Sequence, residues 1–579
     1  MTFNLLIGGA AGQGIDTTAA ITEKLLKQAG YFVFASRDFM SRVRGGHNFT
    51  LIRFGSSPIT SHSYRLDALL ALNQESIQLH QEELSDQGFI LCDTALAADD
   101  PRTIKINMQQ IAKELGNPRV AGSVAIGALL GLFGLDLNHV KPVLQNFVKE
   151  AYVEANLKAV AAGYQAVKPH FASQPGQYSQ WMTLSGNQAL ALGALTAGMR
   201  FYSAYPMSPS TSIMEYLADK SKLCGVVVEQ AEDEIAAINM AIGASFAGVR
   251  AMTGTSGGGF SLMVEALGLA GMAEIPLVIV LAQRPGPATG LPTRTEQADL
   301  KFAISAAQGE FPRMVIALRD HQDAYDQTIR AFDIADRYRI PVILLTDQFL
   351  ADTSSTVEPF KMEPEPFESE LIEAKQPDSS QDMPALSPDP RPAAAEYLSY
   401  RLTEDGISPR LLPGNPDYFV AADSDEHDES GAITESAEIR RQMMDKRLRK
   451  LVKLHNELRE PELIGAGSGE NLLLGWGSLQ GPLNEAVMLL NKEMPDTFAA
   501  LVFGDLFPLP VKRVQELART ARRIINVEQN ATGQLAGLIR EYAGIRCHSS
   551  VLKYDGRQLT GEEITVKVRE ILQREEAAR

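Results

Sequence analysis

The chain has 579 residues and a formal net charge of -17, with 45% hydrophobic and 22% charged residues. That length exceeds a single hydrophobic core and predicts roughly three or four domains of ordinary soluble composition. The acidic balance argues against a nucleic-acid surface or an anionic membrane as partner, and no apolar run approaches the roughly 20 residues that span a bilayer.

Residues 1–180 read as one α/β domain. Phe3-Asn4-Leu5-Leu6-Ile7 has the pattern of a buried strand, and the N-terminus enters it without a basic segment or a small-residue cleavage site, which predicts a mature cytoplasmic chain. Ile15 to Gly30 reads as a helix ended by Gly30 in the usual position just past the last turn. Between strand and helix, Gly8-Gly9-Ala10-Ala11-Gly12-Gln13-Gly14 offers Gly9, Gly12 and Gly14 where helix-start amides can cradle a phosphate. The spacing departs from G-x-G-x-x-G, and close packing of helix on sheet is the alternative use. Arg37, Arg42, Arg44 and His47 then form a basic cluster in an acidic chain. It suits a polyanionic ligand or a solvated face. Phe49–Phe54, Ala68–Leu72 and Gly88–Asp93 are further strands, and their alternation with helices predicts a parallel sheet.

Residues 181–354 form a second α/β unit. It opens with the small-residue helix of Leu184–Gly193, and its fully apolar strands Val226–Val228, Pro276–Leu281 and Pro341–Leu345 suit a doubly wound sheet buried on both faces. Tyr205-Pro206-Met207-Ser208-Pro209 is a proline-flanked turn that presents one hydroxyl, Ser208, on a stiff backbone. Glu229, Glu232, Asp233 and Glu234 crowd a helix start, where the macrodipole favours acids. Thr253-Gly254-Thr255-Ser256-Gly257-Gly258-Gly259 follows as strand and glycine turn. Arg284 ends a core strand, where doubly wound sheets place ligands, and Arg294 lies in the loop beyond. Either guanidinium can hold a carboxylate through two hydrogen bonds.

Residues 355–465 begin as a proline- and acid-rich connector and continue into a charged helix, Ser436 to Arg459, with an apolar stripe of Ile439, Met443, Leu448, Leu451, Val452 and Leu458. Residues 466–579 form a third α/β domain, with strands at Asn471–Ser478 and Arg523–Asn530. The three cysteines, Cys92, Cys224 and Cys547, are far apart and too few for a four-thiolate zinc site or iron–sulfur cluster, so they read as reduced thiols.

The Tyr205–Pro209 run resembles the Tyr-Pro-Ile-Thr-Pro signature of 2-oxoacid:ferredoxin oxidoreductases. Glu234 with Gly257 and Gly258 resembles the pyrimidine-binding half of a thiamine diphosphate enzyme. Met207 and Ser208 stand where that family has isoleucine and threonine. Nearly the whole chain is similar to an α subunit of the 2-oxoglutarate synthase type with a γ domain fused at its N-terminus. The resemblance implies three α/β domains with mostly parallel sheets, among them a thiamine diphosphate pyrimidine-binding domain and a transketolase-C-terminal-like domain.

It further implies that Glu234 faces N1′ of the cofactor's aminopyrimidine and that Tyr205, Pro206, Gly257 and Gly258 help to hold the cofactor. Ser208 with Arg284 or Arg294 would bind the 2-oxoacid carboxylate, and Gly9, Gly12, Gly14, Arg42 and Arg44 would serve coenzyme A. No Gly-Asp-Gly occurs; Phe503-Gly504-Asp505-Leu506 and Tyr554-Asp555-Gly556-Arg557 match it only in part. The resemblance therefore assigns the diphosphate half, Mg²⁺ and a [4Fe–4S] cluster to a β subunit that reduces ferredoxin, within an (αβ)₂ heterotetramer. The implied reaction is reversible, CoA-dependent oxidative decarboxylation, of 2-oxoglutarate to succinyl-CoA by preference. Pyruvate, branched-chain or indolepyruvate substrates remain open, as do a non-oxidative thiamine-dependent lyase subunit and a non-enzymatic assembly subunit.

Overall fold

The computed structural model describes residues 2–41, 46–172, 174–361, 397–414, 419–465 and 469–577. Among the described residues there are three sheets, of eight, seven and five strands, with helices packed on them.

The eight-stranded sheet runs in the order Thr103–Ile106, Leu84–Asp93, Leu66–Ala71, Thr2–Ala10, His47–Gly55, Phe32–Asp38, Ser354–Val357 and Met182–Ser185. Only half of it is parallel. Thr2–Ala10 pairs in parallel with Leu66–Ala71 but antiparallel with His47–Gly55, which in turn pairs antiparallel with Phe32–Asp38. The strand Phe32–Asp38, absent from the sequence reading, is the cause: it returns directly into His47–Gly55, and a short connection between adjacent strands forces them antiparallel. Two strands from later in the chain extend the same sheet, Ser354–Val357 against Phe32–Asp38 and Met182–Ser185 against Ser354–Val357. The helix Ile15–Gln28 ends one residue before its cap, Ala29, and Gly30 takes φ 95° to release the chain.

The seven-stranded sheet is parallel apart from one edge. Its order is Asp505–Phe507, Met314–Ala317, Pro341–Asp347, Leu277–Gln283, Ala251–Thr255, Phe201–Ala204 and Val227–Gln230. Leu277–Gln283 and Pro341–Asp347 are buried at every position, which is why they read as unbroken apolar runs. The antiparallel edge strand Asp505–Phe507 comes from the C-terminal region and ties the two units together. The chain leaves Phe201–Ala204 for the outer strand Val227–Gln230, then crosses back to Ala251–Thr255 on the other side. Connections therefore diverge between Phe201–Ala204 and Ala251–Thr255, and a crevice opens beyond their C-terminal ends. The five-stranded sheet is likewise parallel except for Glu462–Gly465.

The charged helix spans Ala437–Leu454 and is capped by Ser436, whose side chain accepts from the Ile439 amide. Its buried face differs from the expected stripe. Val452 is 69% exposed, whereas Lys446, Arg447 and Lys450 are buried beside Met443 and Leu454. Their partners explain this. Glu274 receives Lys446 Nζ at 2.6 Å and Lys450 Nζ at 2.5 Å, and Arg339 Nε donates to its carbonyl oxygen at 3.1 Å. Arg447 pairs with Glu426. The helix is docked by ion pairs as much as by apolar contact.

Candidate active site

Four elements of the seven-stranded sheet deliver side chains to the crevice. After Phe201–Ala204 comes the Tyr205–Pro209 turn. Asn187, fully buried, donates through Nδ2 to the Pro209 carbonyl at 2.8 Å and to Ser212 Oγ at 2.8 Å. The Ser210 hydroxyl and amide both donate to the Met207 carbonyl, so the turn is pinned from behind and ahead. Tyr205 and Ser208 are left exposed, with Pro206 half-buried.

After Val227–Gln230, Asp233 caps the helix Glu234–Phe246 by accepting from the Ala236 amide at 2.8 Å. Glu229 and Glu232 are exposed and Asp233 serves as cap, while Glu234 is 4% exposed, and its Oε1 has no hydrogen-bond partner. After Ala251–Thr255, the helix Gly257–Met272 begins without a side-chain cap. A Cβ on Gly259 would overlap both Thr255 Oγ1 and Glu234 Oε1, so only glycine lets the carboxyl lie against this turn. Thr255 Oγ1 contacts Met207 Sδ at 3.7 Å, joining the glycine turn to the proline-flanked turn. After Leu277–Gln283, Arg284 donates through Nη1 to the Ser208 carbonyl at 2.7 Å.

The fold thus brings Tyr205, Pro206, Ser208, Glu234, Gly257, Gly258 and Arg284 to one crevice. Arg294 goes elsewhere. It forms an ion pair with Asp38 and packs on Gly556, and it lines a small cleft of about 40 Å³ between the N-terminal sheet and the C-terminal domain, with Arg37, Tyr64, Thr293 and Gln558. In the N-terminal glycine loop, Gly12 and Gly14 have φ of 92° and 80° with open space where a Cβ would go, and Gly9 packs on Gln13, whose Oε1 accepts from the Ala10 amide. Arg42 and Arg44 lie outside the described residues. His47 is buried, its Nε2 2.7 Å from His80 Nε2, so it is not part of an exposed basic face.

Sequence reasoning missed Glu296 and Asp299. Asp299 Oδ2 lies 2.6 Å from where a Cβ on Gly257 would be, and its amide donates to Gln283 Oε1 at 3.0 Å. Burial pushes the Asp299 carboxyl up to about 6, and burial together with the Asp299 charge pushes Glu296 up to about 7. The only sequence signal was the presence of two acids in the loop after a core strand. Among the described residues no cluster of three His, Cys, Asp or Glu side chains has a metal-holding arrangement, and no helix is long and apolar enough to cross a membrane.

Comparison with known proteins covers almost all of this architecture. Residues 4–166 match the pyruvate ferredoxin/flavodoxin oxidoreductase family, and residues 192–446 match the thiamine diphosphate-binding domain of pyruvate flavodoxin/ferredoxin oxidoreductase. The α subunit of a Sulfolobus 2-oxoacid:ferredoxin oxidoreductase is 32% identical over 97% of this chain and 96% of its own length. A 2-oxoglutarate oxidoreductase subunit KorA from Mycobacterium tuberculosis is 32% identical over 78% of this chain and 68% of its own. The 2-oxoglutarate:ferredoxin oxidoreductase from Magnetococcus marinus, solved with 2-oxoglutarate, coenzyme A and succinyl-CoA bound, superposes with a TM-score of 0.88 at 30% identity, covering 98% of this chain and 99% of that one.

Proposed function

The chain belongs to the α-subunit family of 2-oxoacid:ferredoxin oxidoreductases, and from that premise we propose that it supplies the pyrimidine half of a thiamine diphosphate site completed by a β chain. The observation that carries this reading is Glu234: a carboxyl 4% exposed, with an unpartnered Oε1, seated on a glycine turn that a single Cβ would close. A buried carboxyl without a partner is costly unless a ligand satisfies it, and the ring nitrogen N1′ of an aminopyrimidine does so by sharing a proton. Tyr205, Pro206, Gly257 and Gly258 are the neighbours that would wall the ring. When bound, thiamine diphosphate supplies the nucleophilic carbon and the electron sink that decarboxylation of a 2-oxoacid requires.

The remaining roles fall to this chain's own groups. Glu234 holds a proton at the pyrimidine edge. Ser208 Oγ, exposed on its pinned turn, donates to the substrate carboxylate, and Arg284, already bonded to the Ser208 carbonyl, either binds that carboxylate or fixes the turn. Arg294 is the second arginine for the carboxylate and must give up Asp38 to serve. Coenzyme A enters by the N-terminal domain, with Gly9, Gly12 and Gly14 toward its phosphates and Arg42 and Arg44 offering charge. Mg²⁺ and a [4Fe–4S] cluster belong to the β chain, which passes electrons to ferredoxin in a cytoplasmic (αβ)₂ assembly. Similarity to the Magnetococcus 2-oxoglutarate:ferredoxin oxidoreductase and the mycobacterial 2-oxoglutarate oxidoreductase subunit favours 2-oxoglutarate, giving succinyl-CoA, as the substrate.

The test is Glu234→Gln in the complex co-expressed with its β chain. Removal of one acid–base group should lower kcat about 10²–10⁴-fold while assembly persists, and Glu232→Gln should cost far less. Equal losses at the two positions would refute the role of Glu234. Comparing kcat/KM for 2-oxoglutarate with that for pyruvate tests the substrate; a preference for pyruvate would displace 2-oxoglutarate.

A further inference from the structure

The loop that walls the crevice is gripped by the C-terminal domain. Between Arg284 and the helix Leu300–Ser305 the chain forms neither strand nor helix, so its backbone groups must find partners elsewhere. Residues 297–301 find them in one short stretch, 529–534. The Gln297 amide donates to the Gln529 carbonyl at 2.8 Å, and the Gln297 carbonyl accepts from Asn530 Nδ2 at 3.0 Å. Gln534 then spans the next turn of chain. Its Nε2 donates to the Ala298 carbonyl at 2.6 Å, and its Oε1 accepts from the Lys301 amide at 2.9 Å. One amide side chain thus pairs with a carbonyl and an N–H of another domain, as a neighbouring strand would.

These side chains have no freedom to turn away. Asn530 is buried, its Oδ1 accepts from the Thr532 and Gly533 amides, and its second Nδ2 proton goes to Glu528 Oε2 at 2.8 Å. Every bonding position of that amide is used. Glu528, wholly buried, also accepts from Trp476 Nε1, Asn526 Nδ2 and the Leu535 and Ala536 amides. A buried carboxylate is costly unless its oxygens are satisfied in this way. Here it fixes the start of the helix Gln534–Ala543, whose first residue is the gripping glutamine.

What the two amides hold is the wall behind the glycine turn. Asp299 lies between the gripped positions, its amide bonded to Gln283 Oε1 and its Oδ2 2.6 Å from where a Cβ on Gly257 would be. Gly257 opens the turn, and Glu234 is seated two residues on, at Gly259. A shift of residues 298–301 would withdraw Asp299 from Gly257 and let the turn move under Glu234.

We propose that Asn530 and Gln534 are positioning residues of the cofactor site: through residues 297–301 and Asp299 they fix the glycine turn, and with it the place of Glu234. The C-terminal domain then takes part in cofactor activation from behind the crevice wall. The inference rests on the reading of Glu234 as the acid at the pyrimidine edge and adds a second domain to it.

Position 534 allows a test that a plain staple between domains would not pass. Glutamic acid there has the shape of glutamine. Protonated, it has one O–H for the Ala298 carbonyl and one oxygen for the Lys301 amide; ionised, it has no donor and sets its charge against that carbonyl. Glu528 and Asp299 oppose its ionisation, and the Lys301 ammonium, which lies against Gly537, favours it. The full-length chain, assembled with its β chain, is studied from about pH 5 to 8.5. Calorimetry gives the Kd for thiamine diphosphate, and quenched-flow NMR gives the rate at which the cofactor's C2 proton exchanges with deuterium, with no 2-oxoacid or coenzyme A present.

Gln534→Met keeps the length and loses both bonds, so C2 exchange should slow by up to about 10²-fold at every pH, with a weaker Kd. Gln534→Asn is too short to reach both groups and serves if the first variant folds poorly. Gln534→Glu should stay near wild type at the acid end and fall toward the Met variant as pH rises. Taking its ratio to wild type at each pH removes the titration of groups common to both. A Gln534→Glu ratio that is flat with pH overturns the inference, because a structural staple alone behaves so. So does wild-type exchange and Kd in assembled Gln534→Met. Either result leaves Glu234 in its role. If Glu234→Gln also exchanges at the wild-type rate, the reading of Glu234 falls as well.

Discussion

Replacing Gly259 by alanine tests the seat of Glu234 without any cofactor or partner. The added Cβ would overlap Thr255 Oγ1 and Glu234 Oε1 at once. Neither neighbour has an easy retreat: Thr255 ends the strand Ala251–Thr255 and is fully buried, and Glu234 sits at the first position of a helix whose cap, Asp233, is hydrogen-bonded. Overpacking of this kind costs about 1–3 kcal/mol. Gly258 is the control, because a Cβ there meets nothing nearer than the Ala288 carbonyl at 3.9 Å. Neither glycine has positive φ, so alanine is free to adopt both backbones, and the smaller entropy loss of alanine should stabilise Gly258→Ala by about 0.4–1 kcal/mol. Urea unfolding of the isolated chain, followed at the transition that reports the central domain, should therefore separate the two variants by about 1.5–4 kcal/mol in opposite directions. If the two variants move together, the carboxyl is not packed on Gly259 and the argument from Glu234 loses its geometric base.

Other consequences are as direct. Arg284→Lys keeps the charge but loses the planar fork, and its bond to the Ser208 carbonyl is the contact most exposed to that change; KM for the 2-oxoacid should rise, as it should for Arg294→Lys if that side chain leaves Asp38 to meet substrate. Steady-state kinetics of both variants decides between them, and unchanged KM in both would hand the carboxylate to the β chain. Glu274→Gln should destabilise the chain by about 3–5 kcal/mol, because it strands Lys446 and Lys450 with no anion. Burial alone would raise the Glu274 carboxyl, yet Lys450, Lys446 and Arg339 outweigh it and hold it well below the usual range. Its contribution is thus present above the unfolded value of about 4.3 and lost as pH falls below it, so the wild type's advantage over Glu274→Gln should shrink in acid unfolding curves.

Much of the fold was open to reading because burial on both faces leaves a plain mark. Leu277–Gln283 and Pro341–Asp347 carry long apolar runs, and the turn after the first of them is rich in glycine and proline. Phe32–Asp38 escaped for a physical reason. Its apolar start, Phe32-Val33-Phe34-Ala35, follows Gly30 closely and shades into the charged Arg37 and Asp38, and what holds it in the sheet is pairing with His47–Gly55 on one side and with Ser354–Val357, over three hundred residues later, on the other. Lys446 and Lys450 misled in the same way. A lysine on a helix reads as solvent-facing, and only the position of Glu274, 172 residues upstream of Lys446, turns that face inward.

The crevice shows where such reading stops. Glu234 could be singled out because an acid at a helix start, followed by a small-residue helix and a glycine turn, is a local pattern. That it is the buried member of its acidic run depends on the strand order, since the helix Glu234–Phe246 crosses back over Phe201–Ala204 before the glycine turn begins. Arg284 and Arg294 are ten residues apart in one loop region and looked interchangeable; the fold gives one to Ser208 and the other to Asp38. Asp299 carries no local mark at all, because what distinguishes it is its place against Gly257 at the start of the glycine turn. Contact between a loop carboxyl and a glycine turn 42 residues earlier in the chain is a property of the folded surroundings, and no local spacing announces it.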